Sequence, residues 1–396
     1  MAVQSKAMRK ADWLYKPSFQ FTIFTVIVLV ISLQAVLQAP SPFNGSAIAY
    51  TAYNNYIIFK QSFYHLIHHK DLYILYPDEH WDLYKYSPAF ALLMGPLAIL
   101  PDYAGLFIWN MLNAIVLLIA IQQLPLLDKQ KKILSLGFVL LELITSLQNE
   151  QSNALIAGLI ILAFVQMEKK RVALASLFIV LTVAIKLFGI VAFALFLFYP
   201  QKIKSIAFTL LWLLVFTFIP LTVVSWDQLL FLYKSWGHLL QNDHDISYGL
   251  SVAGWLYTWF GWSLKSETVI AGVLLFCLPL LRIRQYKNFT YRLLYVASVL
   301  LWVVIFNHKA ESPTFVIATA GVALWYYYQQ PNKINTALLL LTFVFTVLSP
   351  TDLFPRIIRT NYVIPYVLKA VPCIWVWLKL TYDLLTIKDT PAVAES

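Results

Sequence analysis

The chain has 396 residues, 60% of them hydrophobic and only 12% charged. A water-soluble domain carries roughly twice that charged share, so a soluble globular protein is excluded and a polytopic membrane protein is indicated. The net charge of +10 then marks cytoplasmic loops and anionic lipid surfaces rather than nucleic acid.

In chain order, the basic stretch with Lys6, Arg9, Lys10 and Lys16 precedes an apolar run, Phe19–Gln38. That run is about 20 residues long, enough to cross a bilayer, and is read as a retained first span with a cytoplasmic N-terminus. The stretch Tyr50–Pro88 follows and is too long and polar for a simple turn. It holds Asp71, Asp78, Glu79 and Asp82, with His65, His68, His69 and His80 among many aromatic residues. Carboxylates and imidazoles move protons, and aromatic rings cover sugar faces or lipid headgroups. The plainer alternative is an interfacial loop that only seals the rim. Ser87–Leu100, broken by Pro88 and Pro96, is expected to lie in the interface.

Further spans are read at Ala104–Gln122, Ile133–Leu147, Ala154–Met167, Val172–Lys186, Leu187–Tyr199, Ile203–Val224, Glu267–Leu281, Tyr291–Phe306, Pro313–Tyr328, Ile334–Ser349 and Tyr362–Lys379. This gives about twelve spans in all. The register puts most of the 29 Lys and Arg inside, and all 7 histidines and most of the 19 acids outside. It obeys the positive-inside rule and concentrates titratable chemistry on one face. Cys277 and Cys373 lie in apolar segments, so neither a disulfide framework nor a metal site is expected. Walker, GxGxxG and HExxH motifs are absent, and no cofactor is expected.

Several outer features carry candidate chemistry. Gln148, Asn149, Gln151 and Asn153 belong to a turn, QNEQSN, richer in amides than a turn requires; amides bind phosphate and sugar oxygens. Lys186, in AIKLFG, stands in an apolar run; it either snorkels or meets an anion. The loop Ser225–Ser266 brings a tryptophan belt and the acidic cluster Asp243, His244, Asp245. His308, Lys309 and Glu311 stand at the start of a span, where a phosphate is favoured or a turn is merely solvated. Glu142 falls inside a span, either as a structural polar contact or projecting toward the outer cavity.

The order of these features resembles the bacterial polyprenol-dependent glycosyltransferase family 87, which includes polytopic mannosyltransferases. The resemblance runs through DLYILYP, which contains Asp71, then YKYSPAFALLMGPLAILP, which contains Lys85 and Tyr86, then WNMLN at Trp109–Asn113, the QNEQSN turn and the lysine of AIKLFG. It covers roughly residues 20–200 well and the rest weakly. It implies an all-α GT-C bundle with interfacial helices in a large first outer loop, and a metal-independent, inverting transfer from a polyprenyl-phosphate sugar. The family carries an acid soon after the first span as its expected base. Here that region reads Tyr53-Asn54-Asn55-Tyr56.

Another acid must then serve. Asp82 stands beside Trp81 and three residues before Lys85, where an outer cavity meets the membrane surface; it is the first choice as base, or it only pairs with Lys85. Glu150 is the second. The amides of Asn54 and Asn55, together with Asp71, Lys85 and Tyr86, are assigned to substrate binding. The reading is a single domain over residues 1–390 with a disordered tail at 391–396. It would be a multi-pass plasma-membrane enzyme with both termini cytoplasmic and its site on the outer, periplasmic face. Its partners would be a polyprenyl-phosphate-linked sugar donor, a glycan or glycolipid acceptor, and membrane lipids, with no nucleic acid. A lipid or solute transporter and a catalytically inactive homologue are the alternatives.

Overall fold

The computed structural model describes residues 12–43, 47–242 and 247–388. The expected tail at 391–396 and the cluster Asp243, His244, Asp245 lie outside the described residues. Helix dominates, and the only strands among the described residues are β1 (Ser41–Pro42) and β2 (Ala49–Tyr50), an antiparallel pair.

The chain opens with α1 (Pro17–Leu37), whose proline stands in the first turn, where a missing N–H costs nothing. The stretch after it is built around α2 (Asn54–Ile67), followed by α3 (Pro88–Leu93) and α4 (Gly95–Ala98). The single interfacial helix expected over Ser87–Leu100 is thus two short helices, restarted at Pro96, and both pack against α2. The long antiparallel series follows: α5 (Asp102–Gln123), α6 (Lys129–Gln148), α7 (Asn153–Glu168) and α8 (Val172–Ile185). Asp128 caps α6 by accepting the Lys131 N–H at 2.8 Å. The segment Leu187–Phe198 is a 3-10 helix rather than an α-helix. Its steeper rise carries it roughly 24 Å, which is how so short an apolar run crosses most of a hydrocarbon layer.

Beyond it come α9 (Lys202–Phe218), α10 (Trp226–Asn242), α11 (Val252–Phe260), α12 (Lys265–Cys277), α13 (Phe289–Ile305), α14 (Phe315–Tyr327) and α15 (Lys333–Leu341), which continues as a π-helix to Leu348. A single turn, α16 (Arg356–Ile358), precedes α17 (Val371–Thr386). The span expected at Tyr362–Lys379 is broken by turns up to Ala370. There Val367 takes a positive φ of 55° and Pro372 sets the start of α17.

Burial sorts these helices. Nearly every residue of α7, α13 and α14 is buried, as expected of helices apolar all round. They form the centre, with α5, α6, α8 and α17 around them. Helix α7 lies so close to α5 that a Cβ at Gly158 would meet the Leu117 backbone nitrogen at 2.9 Å. By contrast α1 and α9 expose most of their apolar side chains, the pattern of helices facing lipid. Among the described residues three helices are long and apolar enough to cross a membrane unaided: Pro17–Leu37, Asp102–Gln123 and Lys202–Thr222. The other apolar helices are shorter, so the count of about twelve spans is not reached by length alone.

Because neighbouring helices run antiparallel, the bundle has two chemically distinct ends. At one, Gln122 bonds Gln20, Lys169 Nζ reaches Gln123 at 3.0 Å, and the Arg292 guanidinium grips Glu168 at 2.7 and 2.9 Å. Arg282 there donates to the carbonyls of Leu384 and Ile387. The start of α1, the end of α17 and the cluster Lys129, Lys131, Lys132 therefore share this basic end. The opposite end gathers α2, the α6–α7 turn, the C-terminus of α8 and the loop between α13 and α14.

Candidate active site

At that opposite end, the stretch after α1 is a folded cap. Lys60 ties α2 to α5 through Asp102 at 2.6 Å. The buried His65 donates from Nε2 to Glu79 Oε2 at 2.9 Å and packs on Tyr76, with ring centroids 3.9 Å apart. His80 donates from Nδ1 to the Asp82 carbonyl at 2.7 Å. Burial pushes the pKa of both imidazoles down. Asp71 accepts the Tyr73 N–H at 3.0 Å and the Ser235 hydroxyl at 2.9 and 2.8 Å, clasping the cap to α10. Asp71, assigned to substrate from the sequence, has its hydrogen-bond partners in the cap and α10. These contacts fix Asn54, Trp81, Asp82 and Tyr86 in place.

Lys186 forms the first half of the site. Helix α8 stops at Ile185 because Ser87 inserts: its backbone N–H and its hydroxyl donate to the Ala184 carbonyl at 3.4 and 2.6 Å. Lys186 is left in an extended conformation between two helices. Its Nζ donates to Gln151 Oε1 at 3.1 Å and Asn153 Oδ1 at 2.8 Å, and lies 5.9 Å from the Tyr86 ring centroid and 5.8 Å from that of Phe188. Asn153 in turn donates to the Pro313 carbonyl at 3.1 Å, which links the lysine to the loop carrying His308, Lys309 and Glu311. The Glu311 carboxylate acts electrostatically on both Lys186 and Tyr86. That loop is folded by Asn307, which accepts the Lys309 N–H at 2.9 Å. It is braced by Gly249, whose φ of 54° and contact with the His308 carbonyl leave no room for a Cβ.

The second half is a cleft of ≈ 190 Å³ between the cap and the α6–α7 turn. Asn54, Asn55, Gln148, Asn149 and Glu150 line it, with Phe43 and Trp81 stacked at 3.9 Å. Asn55 donates to the Asn149 carbonyl at 2.8 Å, and the Trp81 N–H donates to Asn54 Oδ1 at 3.3 Å. Glu150 has a φ of 46°, a conformation non-glycine residues adopt at a cost. The Trp109 indole, donating to its carbonyl at 2.7 Å, holds it there. Burial raises the Glu150 carboxyl well above the ordinary carboxylate range, because desolvation disfavours its charged form.

Asp82 joins the halves. It follows Trp81 in the cleft wall and acts electrostatically on Tyr86, the ring beside Lys186. Its side chain is 40% exposed and lies 3.8 Å from Lys85 Nζ, while Oδ1 also accepts the Leu83 N–H. Lys85 is anchored by its carbonyl, which accepts from Trp236.

Beneath this surface Glu142, singled out in the sequence, has a partner that sequence reasoning passed over. Glu142, fully buried on α6, meets Lys369 Nζ at 2.8 Å, and Lys369 also donates to the Ser312 hydroxyl at 2.7 Å. The signal was available: Lys369 interrupts the apolar run YVLKAVP just as Lys186 interrupts AIKLFG. Among the described residues no group of three or more His, Cys, Asp or Glu side chains stands close enough together to hold a metal ion.

The sequence model of glycosyltransferase family 87 matches residues 84–306, more than half of the chain. The chain belongs to glycosyltransferase family 87. No curated protein matches it. The match begins at Tyr84 and runs on to Phe306, so it reaches further along the chain than the 20–200 expected and leaves DLYILYP before it. Within this family 87 glycosyltransferase, Lys85, Tyr86, Gln148, Asn149, Glu150, Gln151, Asn153 and Lys186 fall inside the match. Asn54, Asn55, Asp71 and Asp82 precede it, and His308, Lys309 and Glu311 follow it.

Proposed function

We propose that this glycosyltransferase moves a hexose, mannose among the candidates, from a polyprenyl-phosphate donor to a hydroxyl of a glycan or glycolipid acceptor. The reaction takes place on the outer, periplasmic face of the plasma membrane. The observation that carries the reading is the pairing of Lys186. Its hydrogen-bond acceptors are two neutral amide oxygens, with aromatic rings near it, while the Glu311 carboxylate acts on it through the field alone. A buried cation held this way has its charge left for an anion, and a donor phosphate supplies one. His308 and Lys309, on the loop that Asn153 ties to the lysine, add donors to the phosphate.

In the transfer, the acceptor oxygen attacks the anomeric carbon from the face opposite the phosphate. The carbon–oxygen bond to phosphate breaks, and polyprenyl phosphate leaves with the electron pair, stabilised by Lys186. The configuration inverts. The acceptor proton passes to Asp82, at the junction of the two halves of the site. Glu150 is the second choice, because burial favours its neutral form. The basic end of the bundle supports a cytoplasmic placement of both termini.

The test is turnover in a reconstituted assay with labelled polyprenyl-phosphate hexoses. Asp82→Asn is expected to lose turnover by a factor on the order of a hundred while keeping donor affinity. Near-normal turnover would remove Asp82 as the base.

A further inference from the structure

The cleft beside Lys186 has a composition of its own. Among the described residues that line it there is no lysine, arginine or histidine. Its only ionisable acid is Glu150, 1% exposed, and one of that carboxyl's oxygens, Oε1, is buried with no hydrogen-bond partner among the described residues. Asn54, 4% exposed, has its Nδ2 in the same condition. Two of the lining residues therefore carry an unmatched acceptor and an unmatched donor, each expensive to leave unsatisfied. Across the mouth lies the stacked pair Phe43 and Trp81, of which Phe43 is 38% exposed. A phosphate finds no cation among these lining residues and meets the Glu150 carboxyl instead. An alkyl chain would bury the amides of Asn54 and Asn55 without partners. A neutral polyol with an apolar ring face matches these lining residues, since hydroxyls donate and accept and the C–H face covers an aromatic ring. At ≈ 190 Å³ the space is smaller than that of a drug-sized ligand and suits one ring.

We infer that this cleft is the acceptor subsite and takes a single neutral pyranose ring, with Phe43 and Trp81 under its C–H face and Asn54 and Glu150 taking its hydroxyls. The inference rests on the glycosyl-transfer reading above and divides its substrates: anion at Lys186, neutral sugar in the cleft, Asp82 between them.

The test uses the full chain in lipid nanodiscs and two probes. Saturation-transfer NMR is recorded with methyl α-mannopyranoside, methyl β-glucopyranoside and methyl β-galactopyranoside, and farnesyl phosphate binding is measured separately. At least one pyranoside is expected to receive saturation. Phe43→Ala and Trp81→Ala should each weaken it about tenfold, and Asn54→Leu should abolish it. Farnesyl phosphate should neither displace the pyranoside nor lose affinity in Phe43→Ala, whose exposed side chain makes that variant the safest to fold. Absence of saturation with all three pyranosides would overturn the subsite, as would a signal unchanged in both aromatic variants or competed away by farnesyl phosphate. Pyranoside binding without farnesyl phosphate binding would support the subsite and count against Lys186 as the donor anchor, so the two claims fail separately.

Discussion

Lys186 and Lys369 look alike in the sequence and are opposites in the structure. Each interrupts an apolar run, each stands at a break between helical segments, and each lies near an aromatic ring, Tyr86 at 5.9 Å and Phe315 at 5.3 Å. The difference is the partner. Lys369 meets the carboxylate of Glu142 at 2.8 Å in a fully buried ion pair and also holds Ser312. Lys186 meets only the amide oxygens of Gln151 and Asn153 at hydrogen-bonding distance. A carboxylate cancels the charge it binds; an amide aims it. The first arrangement joins α6, the loop before α14 and the segment before α17 into one body. The second leaves a directed cation at the end of the bundle where the acids and histidines gather.

Breaking the ion pair should give the largest effect. Lys369→Met leaves the Glu142 charge buried and alone, which is expected to cost about 3–5 kcal/mol of stability, read as a large fall in the thermal midpoint of the solubilised protein. The double variant Glu142→Leu with Lys369→Met should recover most of that loss. If Lys369→Met melts like the native protein, the two lysines do not differ in the way described. The same substitution at Lys186 should do less. Lys186→Met leaves two amide oxygens without a donor and takes away a cation that no carboxylate hydrogen-bonds, so a cost of about 1–2 kcal/mol is expected. A fall as large as that of Lys369→Met would erase the contrast.

That contrast also marks how far the sequence could be read. Membrane class, helical fold, the helix series from Ala104 to Lys186 and the gathering of Gln148–Asn153, Lys186 and Glu311 at one end were legible, because apolar runs and short polar turns force antiparallel neighbours together. The QNEQSN turn was visible as chemistry, but its division was not: Gln151 and Asn153 turn toward Lys186 while Gln148, Asn149 and Glu150 face the cleft. One residue of register in a turn decides that, and local sequence does not encode it. The break of α8 at Lys186 escaped as well, since its cause is Ser87, far away in the chain, taking the Ala184 carbonyl. Lys369 was hidden inside an expected span because its partner lies on α6. Asp71 read as chemistry, and its clasp to Ser235 on α10 is a contact no spacing rule predicts.

The buried His65, paired in the cap with the half-buried Glu79, should give the smallest effect and a pH-dependent one. Burial outweighs the neighbouring carboxylate and holds the imidazole below its ordinary value of 6.5. His80, beside it, is lowered for the same first cause. The folded cap therefore binds fewer protons than the unfolded chain just below that value. Its stability is present above 6.5 and is lost as pH falls into that window. Amide exchange in α2 should be a few-fold faster at about pH 5.5 than at about pH 7.5, after correction for intrinsic rates, while α7 is unchanged. His65→Gln should flatten that difference, and a pH response in α7 equal to that in α2 would show the cap is not its origin.

The claim that Lys186 is a cation kept for a phosphate is tested most directly by equilibrium binding of farnesyl phosphate to the nanodisc-embedded protein and to Lys186→Met. Farnesyl alcohol serves as the control that shares the chain and lacks the charge. The account predicts that Lys186→Met weakens farnesyl phosphate on the order of a hundredfold and leaves farnesyl alcohol unchanged. Equal farnesyl phosphate affinity in the two proteins, or an equal loss for the alcohol, would contradict it.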